Sequence, residues 1–118
     1  PYILYSTIRM NSLLKKAADA GYSPRVEALK VDTEKAVLLE LLQLPNVLTR
    51  AYQEKSLNEI TEYLFRLTSN YNKFYAENRV LQEENILLRD TWLALTKVVH
   101  QTEEFLLDIL AIKVPEKM

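Results

Sequence analysis

Apolar and polar positions follow one another along most of this chain with the three-and-four spacing of an α-helix. Over residues 2–20, Ile3, Thr7, Met10, Leu14 and Ala17 share one face and predict a first helix with that face buried. Gly21, the only glycine, stands where a helix terminator belongs, and Pro24 in the connector disfavours helix at Ser23. Asp32 is placed as an N-cap for Thr33, Glu34 and the apolar run Ala36 to Leu44. Pro45 ends or breaks that helix, and a shorter one is expected from Asn46 to Lys55. Ser56-Leu57-Asn58-Glu59 has the form of a capping box, in which the Ser side chain accepts from the N–H three residues on and Glu59 reaches back.

The helix after that box carries the clearest period, with Leu57, Ile60, Leu64, Leu67, Tyr71 and Phe74 as a packing stripe. A last long helix is expected from about Glu84 to Ala111, with Leu88, Trp92, Leu95, Val99, Leu106 and Ile109 on one face, interrupted by Thr102. Leu87, Ala94, Val98 and Phe105 widen that face beyond a coiled-coil seam toward a globular bundle. The acidic cluster Gln82-Glu83-Glu84 reads as a solvated helix start, where acids suit the helix dipole. Val114-Pro115 closes the helical region. The pattern as a whole predicts an all-α helical bundle of four to five helices, with Leu64, Leu67, Trp92, Leu95 and Val99 buried.

Composition supports this reading. The 118 residues suit a single domain, 1–118, and 48% hydrophobic with 26% charged residues is ordinary for a globular protein. One glycine and four prolines are too few for a turn-rich β fold. The net charge of −1 argues mildly against nucleic acid as a partner, which would have to be held through a local basic patch or through contacts to bases. No cysteine is present, which excludes disulfides and thiolate zinc. No apolar run reaches the roughly 20 residues of a membrane span, and a cytoplasmic setting fits. The Pro-Tyr start predicts a piece of a longer protein or a processed chain.

Little in the sequence suggests catalysis. His100 is the only histidine and stands in the polar stretch Lys97, His100, Gln101 and Glu104, where a surface position is expected. No metal-ligand spacing, phosphate-cradling glycine loop or nucleophile motif occurs. Aromatic residues are more informative, with seven tyrosines against three phenylalanines. Tyr2, Tyr5, Arg9, Ser12 and Lys16 share a strip beside the buried face of the first helix. Such a strip can stack on unpaired bases and pair with phosphate; periodicity by itself favours the plainer reading, in which its tyrosines lie along a core edge with their hydroxyls in water. Tyr71 shares the packing stripe with Phe74, so its plain reading is core, whereas Tyr75 is offset and is expected at the surface.

The same residues carry a family resemblance. Pro1-Tyr2-Ile3-Leu4-Tyr5-Ser6-Thr7-Ile8-Arg9 resembles the Pro-Tyr-x-x-Tyr-x-x-x-Arg start of the arginyl-tRNA synthetase anticodon-binding (DALR) domain. Glu62-Tyr63-Leu64-Phe65-Arg66-Leu67 and Tyr71-Asn72-Lys73-Phe74-Tyr75 resemble that family's helix ending in an aromatic-Asn-x-Phe-Tyr segment, and Arg79-Val80-Leu81 stands where its Pro-Val-Leu loop falls. The end, Leu107-Asp108-Ile109-Leu110-Ala111-Ile112-Lys113-Val114-Pro115-Glu116-Lys117-Met118, is similar to the family's Leu-Gly-Ile-x-x-Pro-Glu-Arg-Met terminus. Departures are Leu4 for a frequent Gln, Ser6-Thr7-Ile8 for an Ala-His-Ala type of run, Ala111 for Gly and Lys117 for Arg. The segment from Gly21 to Lys55 carries no family motif.

The resemblance implies a helical bundle that holds the anticodon stem and loop of tRNA(Arg). By motif position it places Tyr2, Tyr5 and Arg9 at the anticodon loop, and Tyr71, Tyr75 and the terminal Met118 against unstacked bases, with Asn72 as a further candidate. It implies no catalytic residue and no cofactor in this chain, because ATP and arginine would bind a catalytic domain elsewhere in the parent protein, itself a partner surface. Neither a metal nor a membrane is implied. Two other readings are the anticodon domain of another class I synthetase and a plain helical interaction module; the Pro-Glu-Lys-Met terminus favours arginine.

Overall fold

A computed structural model describes residues 2–26 and 33–110. Among them are five helices and no strand: α1 (Tyr2–Asp19), α2 (Thr33–Leu42), α3 (Leu44–Glu54), α4 (Asn58–Glu77) and α5 (Ile86–Ile109). Asp32 and residues 111–118, and with them the expected N-cap and the Val114-Pro115 closure, lie outside the described residues.

Helix ends follow local chemistry, with two departures from expectation. At the end of α1 the Tyr22 N–H donates to the Ala17 carbonyl (2.8 Å) and the Gly21 N–H to the Ala18 carbonyl (3.0 Å). These are the bonds of a Schellman closure, and they need the left-handed backbone that Gly21 adopts at φ +80°. Pro45, by contrast, does not mark the break after α2. The chain turns at Gln43, and α3 starts at Leu44, which puts Pro45 in the first turn. A missing N–H costs nothing there.

The capping box at Ser56 does not form either. Ser56 Oγ accepts from the Asn58 N–H, two residues on (3.2 Å), and no side chain caps the helix. The Ser56 N–H that Glu59 would have satisfied already donates to the Ala51 carbonyl (3.2 Å), closing α3 around a left-handed Lys55. Glu59 faces Arg50 instead (3.9 Å).

Helix α4 packs against all four other helices. Ile60, Leu64, Leu67, Tyr71 and Phe74 are all buried, as is Tyr63, whereas Leu57 precedes the helix and is exposed. Pairings along the helices fix their directions. Phe74 meets Trp92 edge-on (5.7 Å between ring centres, 82°), Tyr71 bonds Thr96, and Thr68 bonds Glu103, so α4 and α5 run antiparallel. Helix α5 begins under an Asn85 cap, whose Oδ1 accepts from the Leu88 N–H (3.2 Å). Leu88, Trp92, Leu95, Val99 and Leu106 are buried as its period predicts, and the Trp92 indole N–H donates to Glu34 Oε2 (2.7 Å).

The wider face expected on α5 is corrected by the packing. Ala94 is covered, but Leu87, Val98 and Phe105 are exposed, and Ile109, expected at the end of the main buried stripe, is exposed as well. Apolar spacing gives the side of a helix; it does not say whether a neighbour stands there. His100 also departs from its expected surface place. Its side chain keeps only 12% of its exposure; it lines a groove with Leu14 and Tyr22, and its Nδ1 lies 3.1 Å from Glu104 Oε1.

Candidate nucleic-acid interface

Helices α1 and α4 lie side by side in parallel, and their seam carries most of the expected site. Three rungs cross it in register. At one end Tyr2 meets Phe65 (5.6 Å between ring centres, tilted by 43°), and the Tyr2 hydroxyl reaches Ser69 Oγ at 3.5 Å. In the middle Ser6 Oγ donates to Asn72 Oδ1 (2.9 Å). At the other end the Arg9 guanidinium stands over the Tyr75 ring, 5.1 Å from its centre. Residues 2, 6 and 9 recur at helical spacing, as do 65, 69, 72 and 75, so each helix turns one edge toward the other. Ten residues of helix separate Phe65 from Tyr75, about 15 Å.

The surface is aromatic and amide in character, with one guanidinium at its end. Tyr2 is 45% exposed, Tyr5 55% and Phe65 60%, while Tyr75 and Asn72 are half-buried and Arg9 is exposed. Exposed rings of this size outside a core offer faces for stacking. Beside the Tyr2–Phe65 rung an apolar pocket of about 420 Å³ opens, walled by Ile3, Leu64, Leu107 and Leu110 among others.

One expected contact residue belongs elsewhere. Tyr71 is wholly buried. Its hydroxyl shares a 2.9 Å hydrogen bond with Thr96 Oγ1, and burial pushes that hydroxyl far above the ordinary tyrosine range. The ring therefore supports its neighbours, Phe74 at 5.7 Å and Tyr75 at 6.3 Å, and is not open to a base in this arrangement. The packing stripe wins over the motif position at Tyr71. Met118 lies outside the described residues.

Phe65, Ser6 and Ser69 were not singled out from the sequence. Phe65 lies inside a quoted motif but next to the core stripe, and its signal was the helical spacing it shares with Asn72. Beneath the seam lies a buried carboxyl. Glu103 Oε2 is 2.7 Å from Thr7 Oγ1 and Oε1 is 2.6 Å from Thr68 Oγ1, joining α5 to both helices of the seam. Burial raises its pKa to about 7, against the two hydroxyl hydrogen bonds, which lower it. Among the described residues no cluster of His, Cys, Asp or Glu could hold a metal ion, and no helix is long and apolar enough to cross a membrane.

Comparison with known proteins points the same way. The profile of the DALR anticodon binding domain matches residues 3–118. The arginine–tRNA ligase of Alkaliphilus oremlandii is 30% identical over 120 residues, covering 100% of this chain and 20% of that protein. The arginine–tRNA ligase of Maricaulis maris is likewise 30% identical over 118 residues, again with 20% of its length covered. In solved structures, Thermus thermophilus arginyl-tRNA synthetase superposes with a TM-score of 0.87 at 28% identity, over 100% of this chain and 21% of that one. The chain thus spans about a fifth of the length of the relatives it matches.

Proposed function

Because the chain belongs to the DALR anticodon binding domain family, we propose that it grips the anticodon stem and loop of tRNA(Arg) along the α1–α4 seam. The observation that carries this reading is the Arg9–Tyr75 rung. A cation held over a ring 5.1 Å away, at a seam joining residues 66 apart in sequence, is a preformed place for an unpaired base or its phosphate. Tyr2, Tyr5, Asn72 and Phe65 extend the surface along the seam, and Met118 is retained as a contact to be tested by deletion. The near-neutral net charge suits a site that reads bases more than backbone. The parent protein would join arginine to its tRNA with ATP in the cytoplasm, and that chemistry belongs to parts of the relatives' length that this chain does not span.

Binding of an anticodon stem-loop RNA to the chain, followed by fluorescence anisotropy, tests the reading. A base stacked on an aromatic contributes about 1–3 kcal/mol, so Tyr75→Ala is expected to weaken binding roughly 5- to 150-fold with helix content unchanged. Arg9→Ala is expected to weaken binding and to flatten its salt dependence by about one phosphate contact. Unchanged affinity in both variants and in a Met118 deletion would refute the seam as the site.

A further inference from the structure

Glu103 is completely buried, 0% exposed, at the point where α1, α4 and α5 meet. A carboxylate taken out of water needs a cation or several donors to offset the loss of hydration. Glu103 has neither a cation nor a backbone donor among the described residues, only two threonine hydroxyls. Charged and titratable groups on the adjoining turns are engaged elsewhere. On α1, Arg9 stands over Tyr75; on α4, Arg66 faces Glu40 (3.5 Å) and the Tyr71 hydroxyl is shared with Thr96; on α5, His100 pairs with Glu104.

Counting hydrogens decides the protonation state. The Thr7 hydroxyl lies 2.7 Å from Glu103 Oε2 and 2.8 Å from the Ile3 carbonyl. It has one hydrogen, and both neighbours would be acceptors if Glu103 were ionised. With a proton on Oε2 every contact is made at once: Glu103 donates to Thr7, Thr7 donates to Ile3, and Thr68 donates to Oε1. We infer that Glu103 keeps its proton up to the approach of neutral pH and in that form acts as a positioning residue, locking α1 against α4 and α5 so that the rungs above it stay in register. The neighbouring Ser6 makes the middle rung, so two adjacent residues of α1, both departures from the Ala-His-Ala type of run, fix the helix on α4 and α5. The burial that raises the Glu103 pKa toward neutrality agrees with the hydrogen count.

This inference is independent of the RNA reading, and its test uses no RNA. Carbon NMR of the Glu103 carboxyl in the 118-residue chain, assigned with Glu103→Gln, gives its midpoint directly. Proton shifts of the Arg9 side chain report its place over the Tyr75 ring current. The Glu103 signal is expected to titrate near neutrality. Arg9 shifts should move with the same midpoint in the parent chain and stay constant in Glu103→Gln, whose neutral amide can keep the three contacts. Glu103→Ala should show the displaced Arg9 shifts at every pH, or lose the fold; in the latter case Glu103→Gln decides alone. A carboxyl that titrates in the ordinary range, about pH 4–5, overturns the protonation. A neutral midpoint with Arg9 shifts that do not follow it overturns the positioning role.

Discussion

Two faces of α4 make opposite uses of the same residue types. Tyr71 and Tyr75 stand one turn apart, and their rings lie 6.3 Å from each other. Tyr71 looks into the bundle, loses all exposure and gives its hydroxyl to Thr96. Tyr75 looks along the seam and holds a guanidinium over its face. Phe74 and Phe65 divide in the same way, one against Trp92 in the core and the other exposed beside Tyr2. Aromatic identity therefore does not assign a role on this helix; the angular position of each residue does.

The strongest way to break this contrast is to attack the core side. Trp92→Ala removes a buried indole that meets Phe74 and donates to Glu34, and should cost about 3–5 kcal/mol in urea unfolding. A loss below 1 kcal/mol would mean that the core face is not packed as described.

Glu103, beneath both faces, gives a pH signature of nearly the same size. Its folded pKa of about 7 lies above the ordinary 4.5, so the folded chain keeps a proton that the unfolded chain releases. Stability from this group is full below the unfolded value, falls as pH rises between the two, and levels off above about 7. The fall should total roughly 3 kcal/mol at most and be absent in Glu103→Gln. Denaturant melts across this range measure it, and a stability that rises with pH through the same window in the parent chain alone would contradict the assignment.

The smallest expected effect sharpens the comparison most. Tyr71→Phe should lower stability by about 1 kcal/mol through the lost hydroxyl bond and leave RNA affinity unchanged. Tyr75→Phe keeps a ring under Arg9 and should preserve both. A Tyr71→Phe chain that bound RNA several-fold worse would return Tyr71 to the site.

How much of this was legible depended on how local the cause was. The α4 stripe was readable because burial there follows the helical period of the chain itself. The α5 outer face was not, because exposure of Val98 and Phe105 depends on whether another element lies against them, and no periodicity carries that. Ser56 misled because a competing carbonyl five residues back took its N–H. Tyr2, Arg9 and Tyr75 were found as family motifs, but their rungs join segments far apart in the chain. Glu103 interrupted no pattern strongly, and its partner Thr7 stands 96 residues away.

The direction of the seam has an electrical consequence. Each α-helix carries the equivalent of roughly half an elementary charge at its ends, positive at the start and negative at the finish. Antiparallel neighbours largely cancel these fields, but α1 and α4 run the same way, so their dipoles add along the seam. Helix α5, lying antiparallel to both, offsets only one of them. The dipole left over is that of α4, whose positive end at Asn58 lies seven residues before Phe65, beyond the Tyr2–Phe65 rung itself. At the far end Arg9 sits against the closing turns of α4, where the dipole favours a cation. A polyanion laid along this surface would meet a side-chain cation at the Arg9 end and peptide dipoles only past Phe65, at the start of α4.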